Sequence, residues 1–438
     1  MSGSDAGATL RPPAEVRRIA RVLADAGHEA WAVGGAVRDA LTGHDPGDWD
    51  LTTSAHPGEV RRIFRRTVPI GVEHGTVGVI GKDGVMYEIT TFRRDVETFG
   101  RKARVAFADS LEEDLQRRDF TINAVAWNPL TGEIRDPHGG VTDLRDGTLR
   151  TVGEPGERFA EDRLRVLRAL RFAGRFDLRI DPATWEAIVA SADKLDQLSA
   201  ERIREELMKV LALPRPSVSL RLYASSGVLR ALYPELQACI GTEGGAGEDV
   251  WSHQLRVTDA IARHRGTLRL AALVHEIGRP VASVGHAGTG AAIARELLRR
   301  LKASNARIDR VVHLIAHHAD LPAPTAPSSA LRRWARLVGR DFLPDLFRLR
   351  IAHYRPGGID SDRDTLLALM RRVRQLLREA PPLELSDLAI GGAELRALGI
   401  PPGPLFGQIL QELLELVLDD PSLNTREQLI EEVQGRIS

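Results

Sequence analysis

Apolar positions in this chain follow two different rhythms, and the change between them divides it. Residues 13–27 have helical spacing. From 29 to 150 short apolar runs alternate with turns, in AWAVGG, DWDLTT, GTVGVI, VMYEITTF and INAVAWNP. That pattern predicts a small sheet within an α/β unit. The KDG at 82–84 lies between two such runs and predicts a hairpin turn. The runs end near Asp136–Gly140 and Asp146-Gly147. From about residue 155 strand patterns nearly vanish. Long amphipathic stretches replace them: ERFAEDRLRVLRALRFAGRF, ERIREELMKVLAL and AAIARELLRRLKAS. The expected class is α+β, an N-terminal α/β head with a small sheet followed by an all-helical neck, body and tail.

Boundaries follow from composition. Residues 1–12 are small and polar and read as a disordered leader. The head is then expected over 13–150, the neck over 151–240, the body over 248–345 and the tail over 346–438. The Gly-rich segment 241–247 is a linker candidate, as is the Pro-containing stretch 321–327. No fixed-period repeat is evident.

At 438 residues, 43% hydrophobic and 27% charged, the chain fits a soluble protein of two to four domains. It has neither an apolar run of membrane-spanning length nor a secretory N-terminal pattern, and it has one cysteine, Cys239. A reducing compartment is therefore expected, namely the cytoplasm. Net charge is zero, but arginines cluster at 61–66, 93–104 and 163–175. Arginine suits bidentate contacts to phosphates and base edges.

Chemistry concentrates in AVGGAVRDALTGHDPGDWDLTT, residues 32–53. Gly34 and Gly35 precede a short helical segment carrying Arg38, a pattern that lets backbone N–H groups approach a triphosphate. Asp48 and Asp50 are spaced i, i+2, which on a strand puts both carboxylates on one face. Such a pair calls for a cation, and Mg²⁺ prefers oxygen ligands and retains substrate phosphates. Glu88 in YEITTFRR would complete an acidic triad for two ions, or else is a solvated strand carboxylate. The basic stretch 91–108 interrupts the strand pattern, as a loop over the nucleotide or a plain solvated connection.

In SLEEDLQRRDFTINAVAWN, Ser110 and Glu113 form a capping-box pattern. Arg117 and Arg118 are suited to grip a triphosphate, and Asp119 or Asn123 to bind ribose hydroxyls. Farther on, Asp162 and Arg165 stand i, i+3 on a predicted helix, with Arg168 and Arg171 continuing the basic stripe. They form either an intrahelical ion pair or a base reader. A carboxylate accepts from an exocyclic amine and a guanidinium donates to a ring acceptor. Adenine and cytosine fit that pair, whereas guanine and uracil do not.

Together GGAVRD, DWD, RRDFTINA and EDRLR resemble the motifs of bacterial class II CCA-adding tRNA nucleotidyltransferases and poly(A) polymerases. VPIGVEHGTVGVI and the GIPPGP tail are also similar to CCA-type segments. The resemblance implies a Mg²⁺-dependent, two-metal enzyme that adds CCA to tRNA from CTP and ATP without a nucleic-acid template. It implies Asp48 and Asp50 as metal ligands, with Glu88 beside them. Gly34, Gly35, Arg38, Arg117, Arg118, Asp119, Asn123, Asp162, Arg165, Arg168 and Arg171 would contact the nucleotide. The helical body and tail would hold the tRNA acceptor stem and elbow. Addition of A alone, of CC alone, or of a poly(A) tail are the alternatives within the family.

A further constellation resembles an HD phosphohydrolase: His253, His275-Glu276, His286 and His317-His318. A possible metal set is His253, His275, Glu276 and His317. Glu276 stands where that family has Asp, and Arg279 where it has Lys. A metal-dependent phosphohydrolase is the remoter alternative.

Overall fold

The computed structural model describes residues 10–99, 102–244, 247–282, 284–354, 360–379 and 381–437. Two compact units emerge: residues 1–210 with 218–233, and residues 211–217 with 234–438. Among the described residues, no helix is long and apolar enough to cross a membrane.

The first unit is built on a seven-stranded mixed sheet of order β3-β4-β5-β2-β1-β8-β9. These strands are β1 (Ala30–Val33), β2 (Asp50–Thr53), β3 (Thr67–Gly71), β4 (Thr76–Ile80), β5 (Met86–Thr91), β8 (Ala126–Trp127) and β9 (Ile134–Arg135). Within this sheet, among the described residues, only the β2–β5 pairing is parallel. Alternation divides the strands between two layers. Ala30, Ala32, Leu51, Val77, Val79 and Ile89 join a core with helices α1 (Ala14–Asp25), α2 (Gly35–Leu41) and α3 (Pro57–Ile63). In α1, Val16, Ile19, Ala20 and Leu23 face this core at helical spacing. Trp31, Val33 and Ala126 face the other way, toward Phe92, Leu111, Leu115 and Val152. The KDG turn forms as expected, with Gly84 at φ 81° and Gly81 N–H bonded to the Val85 carbonyl.

Four local expectations need correction. The leader expected over 1–12 falls mostly outside the described residues, but Leu10 is 3% exposed and belongs to the core. The basic stretch 91–108 does not break the strand pattern: β6 (Arg93–Phe99) and β7 (Lys102–Phe107) pair as an antiparallel ribbon. Its alternation of β-branched, aromatic and charged residues suits a two-stranded ribbon outside the main sheet. The linker candidate 241–247 lies within the second unit, where Glu243 bridges Asp249 and Val250 N–H bonds the Thr242 carbonyl. Finally, the helix expected through 157–176 is two: α5 (Pro155–Glu161) and α6 (Leu164–Phe176), after α4 (Leu111–Gln116). Asp162 is extended at the break, and its carboxylate accepts the Leu164 N–H at 3.1 Å. An aspartate that satisfies a free N–H at a helix start competes with continuing the previous helix. Helix α7 (Ala200–Leu211) follows.

The second unit is helical among its described residues. Its elements include α8 (Val250–Ala260), α9 (Gly266–Val274), α10 (His286–Arg300), α11 (Asn305–His317) and α12 (Leu343–Ala352). Arg332 is buried and donates to the carbonyls of Leu418 and Asp419, closing the C-terminus of the helix Pro404–Asp419. A guanidinium satisfies two free carbonyls there and complements the helix dipole. Cys239 is buried, and burial pushes its thiol up to about 12, so it is an inert packing residue.

Candidate active site

Strand register assembles the acidic part of the site. Leu51 pairs with Ile89 across the parallel β2–β5 ladder, so Asp50 and Glu88 occupy the preceding matched positions on the opposite face. Asp48 lies ahead of β2 in an exposed bend rather than on the strand. The β1–β2 ladder ends at Val33–Asp50, because Gly34 turns the partner chain into α2. Asp50 feels both neighbours: burial first, then Glu88, and also Asp48 raise its carboxyl to about 6, against the pull of Arg118. Closely set acidic oxygens that resist ionising together are a donor set for a hard divalent cation.

Asp50 and Glu88, but not Asp48, line a cavity of ≈ 360 Å³, within the size range of small-molecule sites. Asp50, Glu88, Arg117, Arg118, Asp119, Asp162, Arg165 and Arg168 all line it. Ser110 starts α4 by accepting the Glu113 N–H. On the same helix Asp114 is fully buried and holds Arg117 at 3.1 Å and Arg118 at 2.8 Å. Burial raises the Asp114 carboxyl, but the two guanidiniums outweigh it and the net shift is downward. Gly34, at φ 73°, leaves room for Arg118, whose terminal nitrogen sits 3.4 Å from where a Cβ would be. Gly35 lies similarly close to Arg38.

The break between α5 and α6 brings Asp162 and Arg165 to one wall. The Asp162 carboxylate is bonded to Arg202 at 2.8 Å. Arg165 donates to Glu161 and to the carbonyls of Arg158 and Arg117. Arg168 is clamped by Asp119, whose other oxygen accepts from Phe120 N–H and the Asn123 amide. Asp119 is thus first a holder of Arg168, and burial of its carboxylate is overcome by that guanidinium.

Five of the predicted nucleotide contacts do not line the cavity: Gly34 and Gly35, and the side chains of Arg38, Asn123 and Arg171. Arg38 is buried, bonded to Asp39 and Asn123, and stacked 4.3 Å from the Phe176 ring centroid. It joins α2 to α6 instead of lining the cavity, and Asn123 is its partner. Arg171 is buried against Glu206 at 2.7 Å. Steps of three residues fall about 60° short of a turn, so the stripe from Arg165 through Arg168 has rotated away by Arg171. No motif in the sequence marks Arg202, or Thr76 and Thr90, which bond each other at 3.0 Å on the cavity wall.

Comparison with known proteins decides the family. The profile of the poly A polymerase head domain matches residues 30–150. A probable RNA- and SrmB-binding site of polymerase A matches 177–240, and a putative tRNA nucleotidyltransferase domain 2 matches 284–433. The CCA-adding enzyme of Anoxybacillus flavithermus is 36% identical over 92% of both chains. That of Geobacillus stearothermophilus is 34% identical over 96% of both. This chain belongs to the bacterial CCA-adding enzyme family. The crystal structure of the Bacillus stearothermophilus family member with CTP superposes with a TM-score of 0.77, at 32% identity over 98% of each chain. A Thermotoga maritima member in complex with tRNA shares the fold at a TM-score of 0.62 and 21% identity, covering 100% of this chain and 99% of that one. Family membership accords with the helical remainder and the mixed-sheet head.

The second unit holds the histidines singled out above, in two groups. His253, His275 and His353 form one, and Glu276, His286 and His318 the other; the ligand atoms within each lie within 4.8 Å of one another. The expected member His317 is replaced by His318. His317 packs instead on His313, with ring centroids 4.5 Å apart. Successive residues at a helix end point about 100° apart, so only one of the two adjacent imidazoles can face the cluster.

Proposed function

We propose that this chain is a tRNA nucleotidyltransferase that adds C, C and A to the tRNA 3′ end from CTP and ATP, without a nucleic-acid template. One observation carries the reading: Asp162 and Arg165 share a cavity with the paired carboxylates Asp50 and Glu88. A base-reading pair and a phosphoryl-transfer site therefore face the same small ligand. The similarity to CCA-adding enzymes over nearly the whole chain supports it.

Asp48 and Asp50, with Glu88 beside them, would hold Mg²⁺. When bound, the two ions supply neutralisation of phosphate charge and a more acidic 3′-hydroxyl. In the transfer the terminal 3′ oxygen attacks the α-phosphorus of the incoming nucleotide. A new P–O bond forms, the α–β bridge breaks, and pyrophosphate leaves. Arg117 and Arg118 face the triphosphate, pre-set by Asp114 so that little order is lost on binding. Arg168, held by Asp119, adds positive charge. On the base edge, Asp162 accepts from the N4 amine of cytosine or the N6 amine of adenine. Arg165 donates to the adjacent ring nitrogen. Exchange of Arg202 for a base amine at Asp162 keeps that carboxylate partnered in both states. The neck, body and tail would bind the acceptor stem and elbow through phosphates.

Purified protein with Mg²⁺, CTP and ATP should extend tRNAs ending before the first C, the second C and the final A. Extension only of the tRNA that already ends in CC would overturn full CCA addition in favour of A addition.

A further inference from the structure

Arg38 has no part in the transfer step, yet all three of its guanidinium nitrogens are engaged inside the head. Nε and one terminal nitrogen donate to a single Asp39 oxygen at 2.8 and 2.6 Å. The other terminal nitrogen donates to the Asn123 side-chain oxygen at 2.6 Å. Phe176 and Phe172 lie 4.3 and 5.2 Å from the guanidinium carbon, with their rings within 16° of parallel. Arg38 is only 3% exposed. A charge buried so completely is costly unless its hydrogen bonds are made, and here each nitrogen makes one.

The partners of Arg38 close into a ring through α6. The Asn123 amide donates to Asp119 at 2.9 Å, and the other Asp119 oxygen holds Arg168 at 2.8 Å. The second oxygen of Asp39 accepts from Arg175 at 3.0 Å. Arg168 and Arg175 stand seven residues apart on α6. That is two turns along one helix face, so the helix is gripped at two points about 10.5 Å apart. Held at one point, a helix can still tilt about it; held at two, it cannot. Asp162 lies six residues before Arg168, roughly 9 Å along the axis, so a tilt of about 10° would move it by about 1.5 Å. Hydrogen bonds to a base edge span only about 2.7–3.2 Å and do not survive such a shift.

The other side of the ring is fixed to the strands that carry the acidic site. Only Gly34 separates β1 from α2, and β1 ends paired with Asp50. The β1–β2 register therefore carries through α2 to Arg38, and from Arg38 across to α6. Lysine could not replace it, because a point charge without a flat fork cannot hold Asp39 and Asn123 together beside two rings.

We propose, on the base-reading role given above to Asp162 and Arg165, that Arg38 is a positioning residue for base selection. Through Asp39 and Asn123 it sets the angle of α6 to the sheet, and so the place of the base-reading pair relative to the reacting phosphate. It acts on which nucleotide is chosen without touching the nucleotide.

The test separates selectivity from turnover in the full chain. On tRNA lacking CCA, kcat/KM is measured for CTP against UTP; on tRNA ending in CC, for ATP against GTP. Arg38→Lys should lower both ratios about tenfold. Arg175→Met opens the ring at a partly exposed arginine and leaves Arg38 held, so it should lower them about threefold. In an Asp162→Ala background, where base reading is already impaired, Arg38→Lys should change the ratios by less than about twofold. An equal fall in kcat/KM for all four nucleotides, with the ratios intact, would mark a merely structural role or a phosphate contact and would overturn the proposal. A full loss of selectivity on top of Asp162→Ala would overturn it too. If Arg38→Lys does not fold, Arg175→Met decides by the same ratios. A parent chain that does not discriminate among the four nucleotides would overturn the base-reading role and this inference with it. A selective parent whose ratios survive both substitutions would overturn this inference alone.

Discussion

The acidic cluster of the head and the imidazole cluster of the helical unit bring titratable side chains together by different means. In the head, strand register sets Asp50 and Glu88 side by side on the open face of a sheet, with arginines around the rim. In the helical unit, helix ends press imidazoles together, with His275 and His318 almost wholly buried. A carboxylate cluster that opens on a cavity leaves ligand positions for a substrate, as phosphoryl transfer requires. The imidazole cluster is instead closed off from solvent.

The strongest test of that contrast is Asp50→Asn. Transfer should fall by at least about 10³-fold, equivalent to about 4 kcal/mol of barrier. The thermal unfolding temperature should not drop, since one of two repelling carboxylates has been removed. A large loss of stability would mean that Asp50 is structural and would erase the contrast.

Asp114→Asn should do the reverse. It leaves two arginines without their buried partner and should destabilise the head by about 3 kcal/mol in denaturant unfolding. The pH dependence has a definite sign. The folded carboxyl sits below its ordinary 3.8, so its contribution is present above pH 4 and is lost as acid protonates it below that value. Unfolding of Asp114→Asn should accordingly converge with the parent in strong acid.

Smaller effects sharpen the specificity side. Asp162→Ala should reduce discrimination of CTP and ATP against UTP and GTP by about ten- to a hundredfold in kcat/KM, the value of one bidentate base contact. Binding of tRNA should remain, as measured by filter retention. Equal loss of both would count against base reading. Arg202→Ala should have the least effect, a few-fold change in KM for nucleotide, because its pair with Asp162 is partly solvent-exposed. A change larger than that of Asp162→Ala would show that Arg202 contacts the nucleotide itself.

Much of the head's local structure was legible because its causes are local. Helix α1, the KDG turn and the Ser110 cap each follow from residues within a few positions of one another. The break at Asp162 was not legible, because its neighbours have good helix propensity and only the Asp162–Leu164 bond opposes them. The cavity-facing set was read in part. Arg117, Arg118, Arg165 and Arg168 line the cavity, whereas Arg38 and Arg171 are buried and turn to Asn123 and Glu206 on other elements.

By itself the sequence determined donor types and several elements: an aspartate pair beside a strand, glycines before a helix, and a set of histidines in a helical region. Tertiary structure decided which of them meet. Glu88 reaches Asp50 only through the parallel β2–β5 register, and His353 reaches His275 only through the packing of α12. The physical reason lies in the range of the forces involved. Backbone hydrogen bonding and side-chain periodicity act within a few residues and are written in the order of the chain. The rotation of a helix about its axis and the register of a strand are fixed by packing against segments far away in sequence.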